Sequence, residues 1–307
     1  RRHTLLLRIA MPCFPLLWSS TDSKGDADTE QVFEASLGQQ FESTGTRMPC
    51  VYVNHGGGPL PLLGQQPDLA AYLSGYAAAL PAKPTAIVIV TAHWEERIPT
   101  VSTGTNPQLY FDYGGFPAET YKYKYPASGS PALAQKVQGL LQGANIKSAT
   151  NPSRGWDHGV FVPLMLMFPD ASVPVVMVSC LKSQDAAAHL AMGEALRPLR
   201  DLGVLLVGSG ASFHNFKYFF ARDPATRSKG EQHSRDFDGF LREQCDGSAP
   251  YAARKASLEA WHKHPSAYEA HPRGGAEHLM PFFVCFGAAG ESCSKVRADP
   301  NTTPSAG

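Results

Sequence analysis

Among the eleven histidines of this 307-residue chain, five sit where side chains do chemistry. His55 closes the run Cys50-Val51-Tyr52-Val53-Asn54. His93 closes residues 85–92 (TAIVIVTA). His214 follows the apolar run 203–208 (GVLLVG) and the short Ser209-Gly210-Ala211-Ser212-Phe213. Each run is apolar and mostly β-branched or aliphatic, as a buried strand requires. Two more histidines lie at turns or helix starts: His158 in Gly155-Trp156-Asp157-His158-Gly159, and His278 in Ala276-Glu277-His278-Leu279. A single histidine at a strand end is an ordinary hydrogen-bonded residue. Three at successive strand ends of an open α/β sheet converge on one crevice, where such sheets bind ligands. Clustered imidazoles suit Fe, Zn, Cu or Ni, and an imidazole titrating near neutrality can take up and return a proton.

The remaining histidines carry less. His3 lies in the first residues. His189 and His233 fall on amphipathic helical patterns and are expected in solvent, as is the His262–His264 pair in its charged surroundings. His271 precedes Pro272 in the loop that feeds His278 and is expected to line the pocket. Gly56 and Gly57, with Gly58, would let a substrate approach the backbone beside His55, or would simply form a tight turn. Trp94, Tyr113, Phe116 and Trp156 are candidates for walls around an aromatic ring. Tyr121, Tyr123 and Tyr125 alternate with lysines and read as a strand edge. There is no G-x-x-x-x-G-K-[ST] and no G-x-G-x-x-G. His55-Gly56-Gly57-Gly58 mimics an esterase oxyanion loop, but Gly210-Ala211-Ser212-Phe213-His214 lacks the final glycine of G-x-S-x-G.

The elements that must position these residues alternate along the chain. Strands are expected at 50–54, 85–92, 173–180 and 203–208, and helices at 68–80, 131–142, 186–202, 229–243, 252–262 and 277–286. That alternation predicts a single-domain α/β fold: an open, largely parallel central sheet flanked by helices, with the active site at the C-terminal ends of the strands. No repeat or linker interrupts residues 48–290, read as one catalytic domain. Residues 1–47 read as a leader or disordered extension and 291–307 as a flexible tail. Lys+Arg and Asp+Glu are both 27, so the basic excess that nucleic-acid binding needs is missing. No apolar run reaches the roughly 18 residues of a membrane span. The six cysteines form no C-x-x-C pair and read as buried reduced thiols in a reducing compartment, which predicts a cytoplasmic protein.

Taken in order, Asn54-His55-Gly56-Gly57-Gly58-Pro59, Ala92-His93-Trp94, Tyr113-Gly114-Gly115-Phe116-Pro117, Trp156-Asp157-His158-Gly159, Phe213-His214-Asn215 and His271-Pro272-Arg273, leading to Glu277-His278-Leu279-Met280-Pro281, resemble the DOPA-dioxygenase branch of the class III extradiol ring-cleaving dioxygenases. The resemblance covers roughly residues 48–290. It implies a metal bound by His55, His93 and His278, an acid–base histidine at His214 that is within reach as a fourth ligand when zinc occupies the site, and a further pocket histidine at His158. Elsewhere in the wider superfamily the third ligand is a glutamate. Here Glu277 stands beside His278; with both on the first turn of one helix, Glu277 is expected to serve the helix N-terminus and not the metal.

The implied chemistry suits these residue types. Cleaving a catechol with O₂ needs a metal with open positions, and Fe(II) gives the redox route that zinc cannot. A base beside it, His214, would take a catechol proton and return it as the O–O bond breaks, while His158 hydrogen-bonds substrate or oxygen. The implied partners are a small catechol and O₂. Two other readings use the same residues: a hydrolase working through zinc-bound water, and a non-enzymatic binding protein on the same fold, similar to the Memo proteins.

Overall fold

The computed structural model describes residues 43–292. Six strands are present: β1 (Cys50–Asn54), β2 (Ala86–Glu96), β3 (Thr100–Ser102), β4 (Ala149–Asn151), β5 (Val175–Leu181) and β6 (Val204–Gly210). They form one sheet in the order β1-β6-β2-β5-β3-β4. The pairings β1·β6, β6·β2 and β2·β5 are all parallel. β3 meets β5 antiparallel at Val101 and Val178, and β4 runs parallel to β3. The helices are α1 (Pro67–Tyr76), α2 (Pro131–Gly143), α3 (His158–Met167), α4 (Ala186–Leu196), α5 (Phe216–Phe219), α6 (Pro224–Cys245), α7 (Tyr251–Glu259), α8 (Ala267–Ala270) and α9 (Met280–Ala289).

Strand alternation explains the layering. Val51, Val53, Ile87, Ile89, Leu205 and Val207 point to one face and pack with residues of α1 and α3. Cys50, Tyr52, Val88, Val90, Val178, Val204 and Leu206 point to the other and pack with α2, α4, α6 and α9. Successive side chains on a strand face opposite ways, so a strand apolar at every position must be covered on both sides. The expected single-domain α/β fold with a mostly parallel sheet is what the chain adopts.

Several boundaries move for physical reasons. β2 runs on through His93 to Glu96, because its pairing with β5 jumps from Thr91↔Ser179 to Glu95↔Cys180. Ala92, His93 and Trp94 are thereby looped out of register, and His93 sits inside a bulge, not beyond a strand end. The short strands β3 and β4 and the buried helix α3 carry too few residues, or too uniform an apolar pattern, to register as periodic. The tyrosine-lysine stretch is not a strand edge: residues 118–122 form a 3₁₀ turn. Helix α9 begins at Met280, leaving Glu277 and His278 in the preceding turn.

The proposed leader lies outside the described residues except for 43–47, where Arg47 pairs with Asp201 at 3.3 Å and the Thr44 N–H donates to the Asp201 carbonyl. Of the proposed tail, only 291–292 are described. Cys50, Cys180, Cys245 and Cys285 are buried; Cys13 and Cys293 lie outside. Among the described residues, no helix is long and apolar enough to cross a membrane.

Candidate metal centre

The C-terminal ends of β1, β2 and β6 meet at one edge of the sheet, and there the histidines gather. His55 follows β1; its backbone N–H donates to the Gly210 carbonyl of β6. Its ring Nδ1 lies 2.9 Å from Ser209 Oγ. The Ser209 hydroxyl is donated to the Gly159 carbonyl, so Ser209 Oγ must accept from His55 Nδ1–H. That fixes the tautomer and leaves His55 Nε2 a bare acceptor.

His93, on the β2 bulge, presents Nδ1 to Asp112 Oδ2 at 3.5 Å. Its backbone is fixed from two sides: its N–H donates to Thr91 Oγ1, and Arg154 donates to its carbonyl at 3.1 Å. Arg154 also donates to Asp157 at 2.7 Å, and the Thr91 hydroxyl donates to the other oxygen of Asp157. The Arg154 guanidinium lies 5.2 Å from the centroids of both Trp94 and Tyr110. His158 opens α3, and both its backbone N–H and its Nδ1–H donate to Asp112 Oδ1, at 2.9 and 2.8 Å. These bonds from His158 hold the Asp112 carboxyl below its usual range against the upward push of burial. Asp112 is therefore ionised and accepts only, which assigns Nδ1–H to His158.

His278 is anchored through its carbonyl, which accepts from Tyr52 Oη at 2.7 Å and from the Ala211 N–H at 3.1 Å. Its Nδ1 lies 2.9 Å from Glu277 Oε1, and the same carboxylate oxygen lies 3.6 Å from His214 Nδ1. The rings of His214 and His278 stack at 3.5 Å and 16°. Glu277 is thus no helix-terminus charge. The turn that precedes α9 lets adjacent side chains meet, as two residues on a regular helix cannot.

The assembled site holds five imidazoles backed by two carboxylates. His55, His93 and His158 offer nitrogens within 4.8 Å of one another, and His214, Glu277 and His278 offer a second such group. The two groups touch: the His278 ring lies 5.2 Å from that of His55 and 4.9 Å from that of His93. His93 and His158 rings are 4.0 Å apart. Burial, followed by mutual repulsion with neighbouring imidazoles, pushes His55 and His278 well below the ordinary histidine range. Burial and His158 take His93 down to about 3, and burial lowers His214 against the opposing pull of Glu277. These four rings are neutral at pH 7, the state a metal ligand needs.

Donor chemistry fits a cation. The Nε2 atoms of His55 and His93 are 3.1 Å apart, and that of His55 is a bare acceptor. Two ligands about 2.0–2.1 Å from one ion, at right angles or slightly wider, have about this separation.

Other expected residues fall elsewhere. His271 is fully buried; its ring packs 5.7 Å from Phe237, and Nε2 lies 2.9 Å from the Ser212 carbonyl. It braces the loop behind His214 and does not line the open pocket. Gly56 has φ +83°, and its N–H donates to Asn54 Oδ1. The Gly57 N–H faces Gln66 Oε1 at 3.2 Å. The glycine turn thus spends both amides on its own closure, and a Cβ at Gly56 would strike Gln66 and Pro61. Trp156 is fully buried and walls nothing, whereas Tyr113 lies 6.0 Å from His158. His189 is buried, not solvated, and His233 is half-buried against Ser266; His262 is exposed as expected, while His264 is half-buried on Phe240.

Asp112, Ser209, Arg154 and the positioning role of Glu277 escaped the sequence reading. The available signal was the rule that ligating histidines are backed by carboxylates or hydroxyls. Asp112 directly precedes the Tyr113-Gly114-Gly115 motif, but nothing in the sequence says which carboxylate reaches which ring.

Fold and site together define an α/β protein with an imidazole centre, backed by carboxylates, at the ends of its parallel strands. Residues 46–304 match the catalytic LigB subunit of aromatic ring-opening dioxygenase. The chain is 40% identical over 272 residues to the dioxygenase tasH of Hapsidospora irregularis, covering 82% of each. It is 35% identical to a 4,5-DOPA dioxygenase extradiol of Beta vulgaris, over 78% of this chain and 87% of that one. The crystal structure of an uncharacterized Escherichia coli K12 protein superposes with a TM-score of 0.61 at 29% identity, over 79% of this chain and 89% of the other. The chain belongs to the LigB family of aromatic ring-opening dioxygenases. Its activity is that of an extradiol ring-cleaving dioxygenase, an oxidoreductase that is metal-dependent and acts on a small molecule with O₂.

Proposed function

We propose that His55, His93 and His278 hold Fe(II), that the substrate is a catechol, and that His214 is the acid–base residue with His158 assisting. The observation that carries this reading is the convergence of the Nε2 atoms of His55 and His93, 3.1 Å apart, with the His278 ring about equally near both. Glu277 holds His278 Nδ1–H, so Nε2 of His278 is also left to the centre. When bound there, Fe(II) supplies an electron route between catechol and triplet O₂ and acidifies a catechol hydroxyl, whereas zinc in the same site offers only the second.

The chain's own groups manage the protons. His214 Nδ1 faces Glu277, so Nε2 is its working atom. Neutral at pH 7, it takes the second catechol proton and returns it to oxygen as the O–O bond breaks. Both oxygen atoms enter the opened product. His158, with Nδ1–H committed to Asp112, offers Nε2 as an acceptor to a substrate hydroxyl. Were zinc held there, His214 would be within reach as a further ligand, since it offers a nitrogen in one donor group with Glu277 and His278. The catalytic unit on this reading is residues 48–290, and the protein works in the cytoplasm.

The test is anaerobic loading with Fe(II) or Zn(II), addition of catechols, and admission of air while O₂ uptake and a yellow ring-fission product are followed. Uptake with iron and none with zinc is expected; equal turnover with zinc would overturn the reading. His214→Ala should retain iron and lose turnover by roughly two to four orders of magnitude.

A further inference from the structure

On the β6 side the site ends in bare phenyl rings. Helix α5 starts two residues after His214, and Asn215 caps it by accepting the Lys217 N–H while donating to the Glu269 carbonyl at 2.9 Å. Phe216 and Phe220 are 58% and 70% exposed, the most exposed large apolar side chains among the described residues. Their rings stack on each other at 5.6 Å and 20°. Phe216 also meets the His214 ring, edge to face, at 4.8 Å. Single exposed apolar residues are ordinary, but a stacked pair continuous with a reacting histidine marks a binding surface. Across the site, Tyr113 and Phe116 pack edge to face at 5.4 Å beside His158.

Several charged groups near this wall have partners of their own. Lys217 Nζ lies 3.2 Å from Glu269, Arg154 is held by Asp157, and Asp112 and Glu277 are held by histidines. The ring in direct contact with His214 on this side is that of Phe216.

We propose that Phe216 and Phe220 form a shelf for a flat apolar substituent on the catechol, so that the enzyme prefers an aryl-bearing catechol to one carrying only a small alkyl group. This rests on the dioxygenase reading. An aryl group extending past His214 would stack on Phe216 or Phe220, a ring-on-ring contact that a small alkyl group cannot make.

The test compares 4-phenylcatechol, 4-methylcatechol and DOPA with the iron-loaded full chain by O₂ uptake. In parallel, calorimetry follows 4-phenylcatechol binding to the zinc-loaded protein. Wild type should favour 4-phenylcatechol. Phe216→Ala and Phe220→Ala should each lower the kcat/KM ratio of 4-phenylcatechol to 4-methylcatechol roughly three- to tenfold, the worth of one aromatic contact, chiefly through KM. Calorimetric affinity should fall by the same factor, and Phe220→Trp should restore it. A ratio and an affinity that do not move in either variant overturn the shelf. So does an unmoved ratio accompanied by lost self-association in light scattering, which would assign the rings to a contact between copies of the chain. If wild type consumes no catechol, the dioxygenase reading fails, while the calorimetric arm still decides whether the rings bind an aryl group.

Discussion

Two carboxylates divide the work at this centre. Asp112 spans His93 and His158, and Glu277 spans His278 and His214, so each carboxylate ties a proposed ligand to a proposed proton carrier. Glu277→Gln replaces an obligate acceptor by a group that can also donate, loosening the tautomer of both rings. It should lower metal affinity by ten- to a hundredfold, as removal of such outer partners does, measured by competition with a chelator. The sequence alone had placed Glu277 on a helical turn, where the same change would keep iron and most activity. His278→Ala and His158→Ala separate the two possible third ligands. Loss of metal from the first and retention by the second is expected in equilibrium dialysis, and the reverse result would move the third ligand to His158.

Positioning belongs to the elements. The segment 208–211 of β6 and its continuation anchors two histidines at once: Ser209 and Gly210 hold His55, and Ala211 holds the His278 carbonyl. On the other side, the start of α3 abuts the β2 bulge. A Cβ at Gly159 would lie 2.7 Å from Thr91 Oγ1 and 3.0 Å from His93 Cδ2. Real side-chain carbons do not sit that close, so Gly159→Ala must displace the bulge or the helix start. The expected outcome is at least a tenfold loss of metal affinity with the far-ultraviolet circular dichroism unchanged. A variant that binds metal normally would show that the bulge has slack the packing does not reveal. α9 serves from behind. All its residues from Met280 to Ala289 are buried, and it packs on α4 where a Cβ at Gly193 or Gly287 would strike the other helix's backbone. That close crossing fixes where the His278 turn begins.

Across the protein as a unit, buried neutral histidines set the acid limit of stability. His189 is the simplest case because it lies outside the metal centre. Its Nε2 accepts from the Leu181 N–H at 3.0 Å and its Nδ1–H donates to the Asp185 carbonyl. Burial lowers its pKa from 6.5 to about 4, against the smaller upward pull of Asp185. Above pH 6.5 the ring is neutral in folded and unfolded chains and adds no pH dependence. Between 6.5 and about 4 only the unfolded chain gains the proton, so stability falls as pH drops through that window. By about pH 5 the loss is about 2 kcal/mol for this one residue. Urea midpoints in the presence of chelator should therefore fall more steeply between about pH 7.5 and about pH 5 for the wild type than for His189→Gln. Parallel slopes would mean that His189 is not protected in the folded state.

Read alone, the amino-acid sequence specifies the apolar strands, their two-sided burial and the gathering of histidines at one sheet edge. Those features are local: strand periodicity is written in consecutive residues, and parallel topology puts successive strand ends together. It located His55, His93, His158, His214 and His278. It could not assign their partners. Asp112 and His158 are 46 residues apart and Ser209 and His55 are 154 apart, and no spacing rule links such pairs. Nor could it tell that His271 and His189 face inward, since a polar residue buried with its hydrogen bonds satisfied looks, in sequence, like one left in water. These points are settled only by the packed fold, because tautomer, charge and exposure are set by whichever groups the elements bring within about 3 Å of a ring, the range in which hydrogen bonds form.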